Sequence, residues 1–141
     1  MERLTHLGAT KTAIIGMAAL VLSGCASTAS VDPNDPLNLA AETSDFNATL
    51  PVMIDADTRL DSTWGYGDAL RYNYTLVNHT LADLNVKLFN ETMAPVIKNS
   101  VCSSPDMEIF MDNGVTVTYI YRDNEGSEAG RFVVTPADCG R

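Results

Sequence analysis

The sequence predicts an α+β domain: a four-stranded antiparallel sheet built from two hairpins, helices packed on one face, and one disulfide. Three observations predict it. Segments that alternate apolar and polar residues come in two pairs, each pair split by turn residues. Segments with helical spacing and cap signals precede and separate these pairs. Two cysteines, Cys102 and Cys139, sit at the end of the longest helical segment and in the C-terminal tail.

The first element is a helix near 36–49. Asp35 supplies an N-cap acceptor and Pro36 takes the first helical position; Leu39, Thr43, Phe46 and Leu50 share one face, and Pro51 ends the run. The first hairpin follows. Thr58, Leu60, Ser62 and Trp64 alternate with Asp57, Arg59 and Asp61; Gly65-Tyr66-Gly67-Asp68 turns the chain; Leu70, Tyr72, Tyr74 and Leu76 alternate with Arg71, Asn73 and Thr75.

Thr80 with Asp83 resembles a capping box and opens a second helical region, whose face is Phe89, Met93, Val96 or Ile97, and Val101. Pro95 lies inside it, which predicts a kink or break near Thr92. Ser104, Pro105, Asp106 and Glu108 start a short helix with Met107, Phe110 and Met111 as its apolar side, and Asn113-Gly114 stops it. In the second hairpin, Val115, Val117, Tyr119 and Tyr121 alternate with threonines. Asp123-Asn124-Glu125-Gly126 turns, and Phe132 and Val134 flank the return before Pro136.

The N-terminus reads as an export signal. Arg3 and Lys11 precede an apolar run from Thr12 to Leu22, and small residues follow. That run falls short of the roughly 20 apolar residues that span a bilayer. Leu22-Ser23-Gly24-Cys25 resembles the lipobox of bacterial lipoproteins. The resemblance implies cleavage before Cys25 and acylation of that cysteine, including a fatty acyl chain such as palmitate on the new amine. Because Ala26 rather than Asp follows, it also implies an outer-membrane location facing the periplasm. Several acyl chains hold a protein firmly where one does not. The expected organisation is a signal peptide over 1–24, a lipidated flexible tether over 25–35 and a single α+β domain over 36–141. The tether is read from its small, polar, Pro-bearing composition.

Loss of the signal removes Arg3, Lys11 and Glu2, leaving seven basic and seventeen acidic side chains and a net charge of about −10. Such a surface disfavours nucleic acid and anionic lipid headgroups. With Cys25 lipidated, two cysteines remain in an oxidising compartment, and a Cys102–Cys139 disulfide is expected. No CxxC spacing points to metal or redox work.

Signs of catalysis are sparse. His79 is the single histidine outside the signal, which removes most His-based triads and zinc sites. Gly65 and Gly67 form a lone GxG without a third glycine or a following helix pattern. Asp55, Asp57 and Asp61 fail the EF-hand spacing and read as solvated surface. Asn47, Asn73, Asn78 and Asn90 head chance N-x-T sequons. The tyrosines 72, 74, 119 and 121 read first as half-buried packing and second as a binding face. No cofactor and no enzymatic activity are expected.

The C-terminal half carries a resemblance. Val101-Cys102-Ser103-Ser104-Pro105-Asp106, Met111, Asn113-Gly114-Val115, Tyr119, Thr135, Asp138 and Cys139-Gly140 are similar to the type II secretion pilotins, small outer-membrane lipoproteins of α+β fold. It covers about Met93 to Gly140 plus the signal; residues 51–92 match weakly. Leu50 to Thr58 and the Thr135-Pro136-Ala137-Asp138-Cys139 ending also resemble a broader set of uncharacterised exported lipoproteins. The resemblance implies a non-enzymatic module that binds the C-terminal tail of a secretin subunit, or another envelope protein, with Cys25 as anchor and Cys102–Cys139 as brace. The residues of the partner-binding surface are unknown from sequence, although the Phe132–Val134 strand edge and the Pro95 region are candidates. Two further readings stay open: an envelope protein with a structural or peptidoglycan-touching role, and a small carboxylate-dependent hydrolase or glycan-binding protein.

Overall fold

A computed structural model describes residues 37–141. The elements, in chain order, are α1 (Leu39–Asn47), β1 (Val52–Met53), β2 (Thr58–Tyr66), β3 (Ala69–Leu76), α2 (Val86–Ser103), α3 (Pro105–Asp112), β4 (Thr116–Asp123) and β5 (Glu128–Val134), closed by a 3-10 turn, Pro136–Cys139. The α+β class holds, but the sheet has five strands rather than four, in the order β1-β2-β3-β4-β5, and it is mixed. Strands β3 and β4 pair in parallel, with Ala69 opposite Thr116 and Leu76 opposite Asp123. The expected all-antiparallel arrangement fails because α2 and α3 occupy the connection between the two hairpins. A helical crossover returns the chain to the end of the sheet where β3 began, so β4 runs beside β3 in the same direction.

Each local departure has a physical reason. The first helix starts at Leu39, not at 36, with Asn38 as its N-cap in the left-handed region (φ 48°); the Asp35–Pro36 start lies outside the described residues, as do the signal, Cys25 and the tether. Ala48 caps its other end, and Leu50-Pro51 is a cis peptide bond. In β2 the pairing register shifts between Leu60 and Ser62, leaving Asp61 as a bulge. The bulge turns Thr63 and Gly65 inward and puts Trp64, expected inside, on the surface. The strand also runs through Gly65 and Tyr66, so the turn is only Gly67-Asp68, with Gly67 at φ 60°.

The long helix is capped by Asn85, which accepts from the Leu88 N–H at 3.0 Å, not by Thr80. Thr80 instead donates to Asp83 within a preceding turn. Pro95 does not break this helix, which runs unbroken from Val86 to Ser103. Glu91, whose carbonyl loses its N–H partner to the proline, lies on the exposed side, where water can replace the lost bond. Of the alternatives on its face, Ile97 is buried and Val96 exposed. Ser104 stands at the N-cap of α3 with Pro105 next, although its hydroxyl makes no cap bond, and Gly114 takes φ 80° after the helix, as its sequence indicates.

One apolar core joins Leu39 of α1, Ile97 and Val101 of α2 and Met111 of α3 to Leu70, Leu76, Val117, Phe132 and Val134 of the sheet. All three helices therefore cover the same sheet face. Cys102 and Cys139 are bonded, with Cα atoms 5.1 Å apart, tying the end of α2 to the C-terminal turn. Asp123, 1 % exposed, accepts from the backbone N–H groups of Leu81, Glu125 and Ser127 and so joins the β4–β5 hairpin to the loop before α2. Burial opposes its ionisation, but these amides outweigh that penalty and hold its carboxyl below the usual range. Among the described residues no helix is long and apolar enough to cross a membrane.

Candidate functional site

On the covered face, α1 packs on β2 and α2 packs on β5. Strands β3 and β4 lie between them, and their inward positions are tyrosines. The parallel register sets Tyr72 beside Tyr119 and Tyr74 beside Tyr121. The rings stack, with centroids 5.1 Å apart in the first pair and 4.8 Å in the second, and Phe89 of α2 closes on Tyr121 edge-on at 5.6 Å. Burial pushes the Tyr121 phenol up to about 12, aided by the nearby Asp55 carboxylate, and raises the Tyr72, Tyr74 and Tyr119 phenols as well. The floor is therefore neutral at physiological pH.

Two openings lie over this floor. The larger, about 390 Å³, sits between α1 and α3, with Leu39, Phe46, Leu70, Tyr72 and Phe110 as apolar walls. The smaller, about 200 Å³, lies beside α2 over Tyr119 and Tyr121, with Met93 and Val96 at its side. Tyr72 of the first stacks on Tyr119 of the second, so the tyrosine row links them. Phe46 and Val96, one from each side, are about half exposed, at 44 % and 55 %. The larger opening is a shallow apolar groove of the kind that accepts an apolar segment.

Glu42 and Asp106 stand at the rim of the larger opening. Both are exposed. Other acids have structural partners: Asp55 accepts from the Asp57 and Thr58 amides, and Asp61 pairs with Arg59 and accepts from Thr75. Among the described residues no cluster of His, Cys, Asp or Glu is arranged to hold a metal ion.

The two places singled out from sequence converge. Pro95 opens no gap between helices; with Lys98 it faces the edge strand β5 across a cavity of about 340 Å³ lined by Arg131 to Val134. The four sequon asparagines are structural clamps. Asn47 donates to the Thr63 carbonyl and accepts its N–H, Asn73 donates to Ser62, Asn78 to the Ala56 carbonyl and Asn90 to the Ala129 carbonyl. What sequence reading missed was the aromatic alignment. Its signal was the repeated Tyr-x-Tyr in β3 and β4, which becomes one stacked row only when the strands run parallel.

Fold and groove together define a class: a small, disulfide-braced α+β domain with helices on one sheet face and an aromatic-floored groove between them. The chain belongs to the family described as Domain of unknown function (DUF8479), whose profile matches residues 37–129. No curated protein matches the chain. Solved structures share the fold. A candidate secreted protein from Pseudomonas aeruginosa is 13 % identical, with 77 % of this chain and 97 % of that one covered at a TM-score of 0.60. The type 2 secretion system pilotin EpsS from Vibrio vulnificus is 13 % identical over 72 % and 87 %, at 0.57. The type II secretion system pilotin AspS from Vibrio cholerae is 15 % identical over 72 % and 88 %, at 0.55.

Proposed function

We propose that this chain is a pilotin-like lipoprotein: a non-enzymatic module, anchored to the outer membrane through acylated Cys25, that binds an apolar segment of an envelope protein, foremost a secretin C-terminal segment. In this reading 1–24 is the cleaved signal, 25–35 the tether and 36–141 the receptor. The observation that carries it is the groove between α1 and α3, apolar-walled and reaching the stacked tyrosine row at Tyr72, in a fold shared with two pilotins. An amphipathic helix laid there would bury its apolar face against Phe46, Tyr72 and Phe110, while Glu42 and Asp106 at the rim would favour flanking basic residues.

The test is a binding titration of the full chain against a secretin C-terminal segment, with Phe46→Asp and Phe110→Asp as variants. Loss of a central aromatic anchor costs about 2 kcal/mol or more, roughly thirtyfold in Kd. No measurable binding by the wild type, or equal binding by both variants, would remove the groove from this role. Mass spectrometry of the protein from its own membranes tests the anchor separately: an unacylated Cys25 refutes it.

A further inference from the structure

The opposite face of the sheet carries no helix among the described residues, and its composition departs from that of the rest of the molecule. Alternation along the strands places Arg59 of β2, Arg71 of β3, Arg122 of β4 and Arg131 of β5 on it. These are four of the five described arginines. Only Asp61 and Glu128 oppose them there, paired with Arg59 and Arg131. The side chains of that face therefore sum to +2. The remaining described residues hold three cations, Lys87, Lys98 and Arg141, against thirteen acids, a sum of −10. A chain this acidic has gathered most of its described arginines on one sheet face.

The same face exposes Trp64 at 47 %, Tyr66 at 49 % and Val133 at 53 %. Trp64 lies under the Arg71 guanidinium, 5.4 Å from its carbon to the ring centroid. Ile120, also on this face, is enclosed by its neighbours at 1 % exposure, and no described helix lies over it. Arginine beside tryptophan and tyrosine on a sheet face without a described helix over it matches the headgroup region of a bilayer. There guanidinium groups pair with phosphate and the aromatic rings sit between water and hydrocarbon.

We propose that this open sheet face docks on anionic phospholipid headgroups, so that the domain lies on the membrane with its acidic, helix-covered side and its groove turned toward the periplasm. The proposal rests on the lipid-anchor reading only for proximity: the eleven-residue tether, 25–35, reaches at most about 40 Å, which keeps a weak surface attraction effective.

Trp64 is the single tryptophan of the chain and reports this face directly. The full chain, expressed with its leader and purified in detergent, is reconstituted into phosphatidylethanolamine vesicles with or without phosphatidylglycerol. Flotation reads the anchor and Trp64 fluorescence reads the face. With phosphatidylglycerol present, Trp64 emission moves to shorter wavelength and its quenching by acrylamide falls severalfold. Both effects disappear as salt approaches 1 M, where the screening length is about 3 Å. They also disappear in the double variant Arg122→Gln, Arg131→Gln, which brings the face to neutrality; the salt arm needs no variant and so does not depend on that protein folding. Vesicles that float the chain while Trp64 stays equally quenchable in both compositions overturn the proposal. A Trp64 response to anionic vesicles together with loss of flotation at 1 M salt sustains the docking face and rejects the anchor instead. A response to a poly-glutamate peptide but not to anionic vesicles overturns the proposal in favour of an acidic protein partner.

Discussion

Gly65 decides where α1 sits. A Cβ there would lie 2.8 Å from both the Leu39 Cβ and the Leu39 carbonyl oxygen and 3.0 Å from Thr43 Cγ2, and Leu39 is fully buried, so the helix has no cheap retreat. Asn47 fixes the same helix to Thr63 by a pair of backbone bonds. Gly65→Ala should therefore cost about 1–3 kcal/mol through overpacking. Gly67→Ala, with open space around it, pays only the left-handed backbone cost of about 1 kcal/mol. Urea denaturation of the two variants makes the comparison, and a Gly65→Ala midpoint equal to that of the wild type would show that α1 is not held against β2. Because Leu39 and Thr43 also wall the groove, the same substitution should weaken partner binding. None of this was visible in sequence, where Gly65 read as part of a turn. A bulge one residue wide, at Asp61, changes which face every later residue of β2 occupies, and no local pattern announces it.

Elements were more legible than their partners. The hairpin strands, the long helix, the Ser104–Pro105 start and the Gly114 stop all follow from periodicity and turn chemistry, because these are short-range effects. Strand β1 was not legible: Val52 and Met53 make too short a run to carry a period, and they belong to the sheet only through β2. The parallel β3–β4 pair was likewise invisible, since direction depends on where the crossover helices deliver the chain. The disulfide was legible from cysteine count and compartment, and its role is to fasten that crossover. It joins α2 to the turn after β5, across 37 residues of sequence, and Lys98 reaches Asp138 beside it at 3.1 Å. The Thr135 amide and hydroxyl, with Lys98, hold the Asp138 carboxyl at about 2. Replacing both cysteines by serine should lower stability by about 4 kcal/mol, the loop-closure value for this separation. Guanidinium denaturation of the oxidised wild type and the double variant provides the measurement; a difference below about 1 kcal/mol would mean that helix packing alone fastens the crossover.

At the scale of the whole molecule the tyrosine row is the feature that joins both hairpins, the crossover and the groove, and it gives the fold a dependence on alkaline pH. Below the ordinary phenol value of 10.0, folded and unfolded chains both carry neutral tyrosines. Above it, the unfolded chain releases those protons. The folded chain keeps them, because burial, aided by the Asp55 carboxylate, holds Tyr121 up to about 12, burial raises Tyr72, and burial with repulsion from neighbouring phenolates raises Tyr74 and Tyr119. The folded state then binds more protons than the unfolded one, so stability is complete below pH 10 and falls as pH rises toward and beyond 12. Phenolate absorbance and far-ultraviolet circular dichroism, followed together, should show the four tyrosines of the row ionising in one step with loss of structure. Tyr74→Phe with Tyr119→Phe removes two of the coupled groups and should make the loss of stability with pH shallower. Phenolate formation by all four near pH 10 in a chain that keeps its fold would mean that water reaches the floor, and the groove would then lack the dry aromatic base on which an apolar segment could settle.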